Sequence, residues 1–284
     1  MKLLGNSVPS GKRTAIFSVT ALCLAALSML GRLICLLFFY DQIGYFKVGA
    51  ALPVIFNLLY ALSIVFFALS SVFFKPIAPE NKLSEITKLS ALLPCAAFVP
   101  YIITGISDIL KVAPGEKAPL FDILSLIFAV ISAVYFASLA FFKQPNSTSA
   151  TLGVGCILWF VLTWMSSYLD FFVPMNSPDK LFFHFACIGA ILIVLADVCL
   201  SANLPRAKAY YFSFFTGLLT VATSAIPNIV ANAKNIFASY SLFHEDVVFT
   251  AILIYGTVRL CSQVWGKRKE VESDNISDSE DSKV

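Results

Sequence analysis

Charged residues and histidine are scarce in this chain of 284 residues. Only 13% of its residues are Asp, Glu, Lys or Arg, two are histidine, and the formal net charge is +3. A nucleic-acid-binding domain normally carries a dense basic patch, and a small net charge gives no sign of one. We therefore expect no nucleic-acid partner.

Motifs that carry catalysis or hold a cofactor are also lacking. The chain contains no H-E-x-x-H, G-x-S-x-G or P-loop pattern, and its two histidines do not form a pair within a span that could hold haem. The seven cysteines all lie in apolar segments, and no two form a C-x-x-C pair. This pattern indicates that they pack in the interior and do not form a zinc site or disulfides. The prediction is a protein that is not an enzyme and has no cofactor and no metal.

Long apolar segments are what the chain has instead. Hydrophobic residues make up 58% of the sequence and the mean hydropathy is +0.83. A helix of about 20 apolar residues crosses the hydrocarbon core of a bilayer, and only helices satisfy their backbone polar groups alone in lipid. The predicted fold is all-α, a polytopic membrane protein with eight transmembrane helices. The spans are expected near residues 15–40, 48–74, 89–110, 120–142, 150–173, 181–201, 209–231 and 247–266.

The distribution of basic residues predicts the orientation. Fourteen Lys and Arg residues fall on the side of the two termini and five on the other, with Arg32 inside the first span. Cytoplasmic loops carry the excess of basic residues, so both termini are expected in the cytoplasm of a multi-pass cell-membrane protein. The first apolar run follows Lys12 and Arg13 as a signal peptide would, but its length favours a span.

Weak internal similarity suggests two halves of four spans each, at residues 1–145 and 146–267. An offset of 129 residues aligns Asp41 with Asp170, and an offset of 127 aligns Pro100 with Pro227. Four spans per half would give a parallel repeat, although chance alignment of abundant apolar residues is the alternative. Residues 268–284 are predicted to form a disordered acidic cytoplasmic tail, which is either a solvated end or a docking or phosphorylation segment.

Polar residues recur along one face of the seventh span and supply the main candidates for a substrate path. They are spaced four apart, which places them on one helix face: Thr216, Thr220, Ser224, Asn228 and Asn232. Pro227 lies beside them and frees a backbone carbonyl in the preceding turn. The stripe either lines a hydrophilic path or packs helix against helix.

The third span repeats this pattern, and Arg32, Asp197 and Arg259 are further charged residues within spans. Thr104 and Asp108 share a face and join the candidate path. Arg32 is a candidate charge anchor, either inside the protein with Asp108 or Asp170 as partner or extended to the interface. Asp197, the second candidate anchor, is expected to pair with a basic residue at the cytoplasmic interface; a proton-coupling role is the alternative. The expected partners are Arg206, Lys208 and Arg13.

Acidic residues collect at the opposite mouth, where the two histidines are also expected. This mouth either attracts a cation or simply lacks the basic residues that stay inside. Its members are Asp41, Asp108, Asp170, Asp179, Glu245, Asp246, His184 and His244.

These features together favour a transporter or permease subunit for an unidentified small solute, with its site between the two halves. The alternative is a non-catalytic membrane sensor, assembly factor or partner subunit of a membrane complex. The expected partners are the lipid bilayer, a small-molecule or ion substrate, and a membrane protein or a second copy of the chain.

Overall fold

A computed structural model of the chain describes residues 10–41, 45–73, 76, 78–111, 120–142, 144–169, 177–204, 206–234, 236 and 243–281, with the backbone alone at 10, 11, 72, 73 and 266–281. Within these ranges the regular elements are α-helices, apart from one isolated β-bridge between Tyr40 and Phe46. The eight helices are α1 (Ser10–Phe39), α2 (Ala51–Phe73), α3 (Glu85–Leu110), α4 (Leu120–Phe141), α5 (Ser147–Leu169), α6 (Pro178–Ser201), α7 (Ala207–Ala233) and α8 (Phe243–Asp281).

All eight helices are long and apolar enough to cross a bilayer, which confirms the predicted fold class. The protein is a multi-pass membrane protein. Six of these helices begin a few residues earlier than hydropathy indicates, and in α3 and α6 a polar cap precedes the apolar run. The Ser84 hydroxyl accepts from the Thr87 N–H to start α3, and the Ser177 hydroxyl accepts from the Lys180 N–H to start α6.

Helix α8 continues beyond its membrane span as far as Asp281. The helix therefore runs into the segment predicted as an acidic tail, residues 268–284, whose cytoplasmic location and docking role stay predictions. Lys, Arg and Glu have high intrinsic helix propensity, and several of them follow the span directly, so the helix can extend without apolar burial. A low hydrophobic content predicts only that the segment lacks a packed core.

Successive helices that each cross a bilayer must alternate in direction, so the bundle has two ends. We call the end where α1 begins the terminal face, and the end where α1 finishes the distal face. Helices α3 to α8 each pack against the next in sequence, and α8 returns to pack against α3. Helix α1 lies against α7 and α8, and α2 lies against α1 and α7. Helices from the two sequence halves are thus interleaved, and the proposed duplication stays a prediction.

The seventh helix lies at the centre of these contacts. In its most apolar window 83% of residues are buried inside the protein, against 28% for α1, α2 and α3. It approaches α6 closely: a Cβ built on Gly189 would lie 1.9 Å from Thr220 Oγ1, and one on Gly217 would lie 2.7 Å from Gly189 O. Small residues let helix backbones meet where lipid supplies no hydrophobic drive for association.

Aromatic side chains fill the space between α3, α4, α5 and α8. Trp159 packs edge-to-face on Phe98 with ring centroids 4.8 Å apart, and Phe160 lies 4.9 Å from Trp159. Phe136 packs on Tyr255 at 5.6 Å. Large rings pack densely in such offset and edge-to-face arrangements. We call this group, Phe98, Phe136, Trp159, Phe160 and Tyr255, the aromatic layer; it separates two polar ends.

Candidate functional site

A cavity of about 440 Å³ opens between α3, α4 and α8 at the distal face. Because these elements finish or start there, their terminal polar residues are brought together around one space. It is lined by Tyr101, Thr104, Gly105, Ser107, Asp108, Ile109, Lys111, Asp122, Leu126, His244 and Glu245. Two of the predicted substrate-path residues, Thr104 and Asp108, are among them.

The described residues that line the cavity include more acidic than basic side chains. Asp108 forms an exposed ion pair with Lys111 at 3.0 Å, one helical turn away. Asp122 from α4 and Glu245 from α8 add two further carboxyl groups to the lining. The Thr104 hydroxyl donates to the Pro100 carbonyl of its own helix at 2.9 Å. The lining is acidic overall and can attract a cation.

Tyr101 connects the cavity to the aromatic layer. Its hydroxyl forms a hydrogen bond of 2.8 Å with Ser125 Oγ, which fixes the ring between α3 and α4. The ring packs edge-to-face on Trp159 with centroids 5.2 Å apart. Tyr101 therefore has a polar end bound to α4 and an apolar face on the layer below.

A second polar cluster at the distal half is built on Arg32, which is fully buried. Its Nη1 donates to the Thr223 carbonyl at 2.9 Å. This is the carbonyl that an N–H at position 227 would have bound in a regular helix, and Pro227 has no N–H to give. The Arg32 guanidinium on α1 therefore donates to the Thr223 carbonyl of α7, which Pro227 leaves without a backbone N–H donor.

The remaining contacts of Arg32 connect it to two more helices. Nη2 donates to Asn228 Oδ1 at 2.8 Å, and Asn228 Nδ2 donates in turn to Asp246 Oδ1 at 3.1 Å. The guanidinium carbon also lies 4.3 Å from the centroid of the Phe182 ring, a cation–π contact. Asn228 therefore bridges the cation and a buried carboxyl group, and joins α1, α7 and α8.

Asp179 lies at the start of α6 near the same cluster. The Tyr40 hydroxyl donates a hydrogen bond to Asp179 Oδ1. Tyr40 follows the end of α1, and burial, reinforced by the negative charge of Asp179, raises its pKa above the ordinary value. The phenol is thus held in its neutral, donating form.

The predicted partners of Arg32 were wrong where they can be checked. Asp108 pairs with Lys111 on the surface of the cavity, and Asp170 lies outside the described residues. Sequence spacing gave no means to choose among acidic residues on other helices. A usable signal was present in the helix itself, because a proline at 227 exposes the carbonyl four residues earlier.

The terminal face carries a third cluster, centred on a buried ion pair between Asp197 of α6 and Arg259 of α8. Arg259 Nε lies 3.2 Å from Asp197 Oδ1, and both side chains are buried. The Tyr255 hydroxyl donates to Asp197 Oδ2 at 2.5 Å. Asp197 was predicted to pair with Arg206, Lys208 or Arg13 at the interface. That prediction is wrong, because Arg259 lies within the bundle facing Asp197 and satisfies it there.

Arg259 also binds the connection between α2 and α3. Its two terminal nitrogens donate to the Glu80 carbonyl at 3.0 Å and the Lys82 carbonyl at 3.1 Å. Gln263, one turn further on, donates to the Glu80 carbonyl at 2.6 Å and accepts from the Glu80 N–H at 2.8 Å. We call these contacts, with the Asp197 pair, the terminal clasp. It closes the end of the bundle opposite the cavity.

The polar stripe on α7 is only partly satisfied within the helix: Asn228 also bonds to α1 and α8, and Thr216 Oγ1 is buried without a hydrogen-bond partner among the described residues. Thr220 donates to the carbonyls of Thr216 and Gly217, both at 3.0 Å, and is buried against α6. Ser224 Oγ accepts from Asn228 Nδ2 at 3.3 Å. Asn232 is partly exposed near the end of the helix.

The structure does not bring all the predicted path residues together. Thr104 and Asp108 lie in the distal cavity, whereas the α7 stripe faces α1, α6 and α8, and α3 has no contact with α7 among the described residues. Whether any of them contacts a substrate stays a prediction. Of the two histidines expected at the mouth, His244 lines the cavity, whereas His184 forms a 3.3 Å hydrogen bond with Ser167 and is not in the lining.

No known protein family, curated protein or solved structure matches this chain. Its function must therefore be argued from the three clusters and the cavity themselves. Sequence reasoning missed Arg259, Tyr255 and Gln263 as members of a cluster. The available signal was an arginine inside an apolar span, which requires a buried partner.

Proposed function

We propose that this protein is a transporter or permease subunit for a small solute. The observation that carries the proposal is the distal cavity, which is large enough for a small molecule and is formed by α3 and α4 from the first half and α8 from the second. Sites of membrane transporters commonly lie between sequence halves. No catalytic step is assigned.

The charge of the lining favours a cationic solute. Among the described lining residues, Asp108, Asp122 and Glu245 supply three carboxyl groups and Lys111 supplies one amine, and the Tyr101 ring lies beside them. A cation entering this space gains both from the carboxyl groups and from an aromatic face. In this proposal Thr104 and Asp108 contact the solute, while the α7 stripe and Arg32 hold the helices that surround it.

Transport requires access from both faces in turn. The cavity is open at the distal face, and the aromatic layer and the terminal clasp lie between it and the other side. The proposed cycle opens the clasp when the distal cavity closes. The contacts that would have to break are those of Arg259 with Asp197 and with the carbonyls of Glu80 and Lys82.

The proposed orientation in the cell membrane has the terminal face and both chain ends in the cytoplasm. It is supported by the excess of Lys and Arg on that side and by the even number of spans. The distal cavity then opens outward, and the protein takes up its solute from outside.

Flux into proteoliposomes tests the proposal. The protein is reconstituted and offered a panel of inorganic monovalent and divalent cations and small organic ammonium ions. Glu245→Gln and Asp122→Asn are expected to reduce uptake of the transported cation, because each removes one carboxyl group from the cavity. Glu85→Gln is the matched control, since Glu85 is exposed at the start of α3 near the terminal face. Absence of flux for the whole panel, or unchanged flux in both cavity variants, contradicts the proposal.

A non-catalytic partner subunit or sensor is the second candidate. The observation that favours it is the dense aromatic packing below the cavity, where Trp159, Phe98 and Phe160 leave little room for a passage. Extraction in mild detergent and co-purification distinguish the two. A stoichiometric membrane-protein partner, found together with absence of flux, supports this second function.

A further inference from the structure

A separate cavity of about 300 Å³ lies at the terminal face, where α6 ends and α7 begins. Most of its wall is apolar, and the polar atoms come from three residues of α7 and its cap. The lining consists of Leu195, Ala196, Cys199, Leu200, Leu204, Arg206, Ala209, Tyr210 and Ser213. Leu195 and Leu204 are 40% and 65% exposed, so the apolar wall faces the surrounding lipid.

The turn between the helices gives the cavity its shape. Asn203 has a φ of 57°, and the Leu204 N–H bonds to the Cys199 carbonyl at 2.8 Å, which together end α6 in a Schellman motif. The chain then reverses within a few residues, and Arg206 becomes the N-cap of α7. This places a cationic side chain directly beside an apolar wall at the level where a span leaves the membrane.

The positive charge of Arg206 is not neutralised by the described part of the protein. Arg206 is exposed, makes no side-chain capping bond, and forms no ion pair or side-chain hydrogen bond with a described residue. The acidic residue in the adjoining part of α6, Asp197, is already paired with Arg259.

From this arrangement we infer that the cavity binds an anionic phospholipid. Arg206 contacts the phosphate of the headgroup, Ser213 and the rim supply polar contacts, and an acyl chain lies along Leu195, Leu200 and Leu204. An amphipathic space with a cation at its rim complements a lipid in both charge and hydrophobicity, and basic residues at a membrane face attract anionic lipids. The inference is independent of the proposed transport.

Cys199 provides a built-in reporter because it lines the cavity and is partly exposed. The full chain is reconstituted in phosphatidylcholine vesicles with and without phosphatidylglycerol. The rate of alkylation of each cysteine by N-ethylmaleimide is then followed by peptide mass spectrometry. Phosphatidylglycerol is expected to slow alkylation of Cys199 but not of Cys261, which is also partly exposed but lies on α8.

Charge variants separate a specific site from a general surface effect. Arg206→Glu is expected to weaken protection of Cys199 by about fivefold or more, the effect of one basic residue on anionic lipid binding, and Arg206→Gln to weaken it less. Arg13→Glu, an exposed arginine at the same face on α1, is expected to leave protection unchanged. Leu204→Ser is expected to reduce it, because the acyl contact is lost.

Three results would overturn the inference. The first is protection of Cys199 that is equal in wild type and Arg206→Glu. The second is a loss of protection in Arg13→Glu as large as that in Arg206→Glu. The third is protection by inorganic phosphate as strong as that by phosphatidylglycerol. The last would assign the rim to a free anion rather than to a lipid. None of these readouts depends on transport, so failure of the lipid site is distinguishable from failure of the proposed function.

Discussion

Removal of Asp197 should be among the most damaging substitutions in this protein. Asp197 and Arg259 are 3% and 1% exposed, and they join α6 to α8. In Asp197→Ala the guanidinium keeps its two carbonyl acceptors on the α2–α3 connection but loses its counter-ion. The Tyr255 hydroxyl loses its acceptor at the same time.

The size of the effect follows from the loss of one charge of a buried pair. Removing a single partner leaves an uncompensated buried charge, which costs about 3–5 kcal/mol of unfolding free energy. By contrast, Tyr255→Phe removes only one hydrogen bond to a charged acceptor, which costs about 1.5–3 kcal/mol. Asp197→Ala should therefore destabilise the protein more than Tyr255→Phe.

A double-mutant cycle measures the interaction itself. Arg259→Leu alone leaves Asp197 without its counter-ion, whereas Asp197→Ala combined with Arg259→Leu removes both charges. We expect the double variant to be destabilised by less than the sum of the singles, with a coupling of about 2 kcal/mol or more. Unfolding free energies are obtained by steric trapping of the full chain in micelles.

The exposed pair of Asp108 and Lys111 is the control. These side chains are 73% and 71% exposed, and surface ion pairs contribute little, so Asp108→Ala should not change stability measurably. Additive effects of the Asp197 and Arg259 substitutions, or an Asp197→Ala variant as stable as Asp108→Ala, would refute the reasoning that a buried pair holds this end of the bundle.

Three further predictions concern packing, the distal network and orientation. Gly189→Ala should lower thermal stability, because the new Cβ would overlap Thr220 Oγ1. The expected overpacking cost is about 1–3 kcal/mol. Gly105→Ala is the milder control, since a Cβ there would meet only the end of a leucine side chain at 3.1 Å. Asn228→Leu should cost about 1–3 kcal/mol because it removes one of the two acceptors of the buried Arg32 and leaves Nη2 without a partner, while Nη1 keeps the Thr223 carbonyl. The outcome is read by the same steric-trap assay. Tags at both chain ends should be shielded from impermeant reagents in intact cells.

Each of these has a clear contrary result. Equal melting temperatures for the two glycine variants would mean that α6 and α7 can separate without loss. An Asn228→Leu protein of unchanged stability would mean that the carbonyl released by Pro227 suffices for Arg32. Labelling of either tag in intact cells would reverse the proposed orientation.

Length and composition alone determined the number and approximate positions of the helices. The reason is physical: a segment of about 20 apolar residues has a single stable conformation in lipid, whatever its neighbours. The sequence likewise placed Arg32 within the first apolar segment and predicted that Pro227 releases a carbonyl, because both properties belong to one helix; it left open whether Arg32 turns into the protein or extends to the interface.

Only the tertiary structure decided which residues meet. The Asp197–Arg259 pair spans 62 positions and the Arg32–Asn228 bond spans 196, and no local period encodes such distances. In lipid, apolar faces are nearly interchangeable, so helix order in the bundle is set by sparse features such as the Gly189–Gly217 approach and the buried polar pairs. The distal cavity arises the same way, because the end of α3 and the neighbouring start of α4 meet the start of α8, which is distant in the chain.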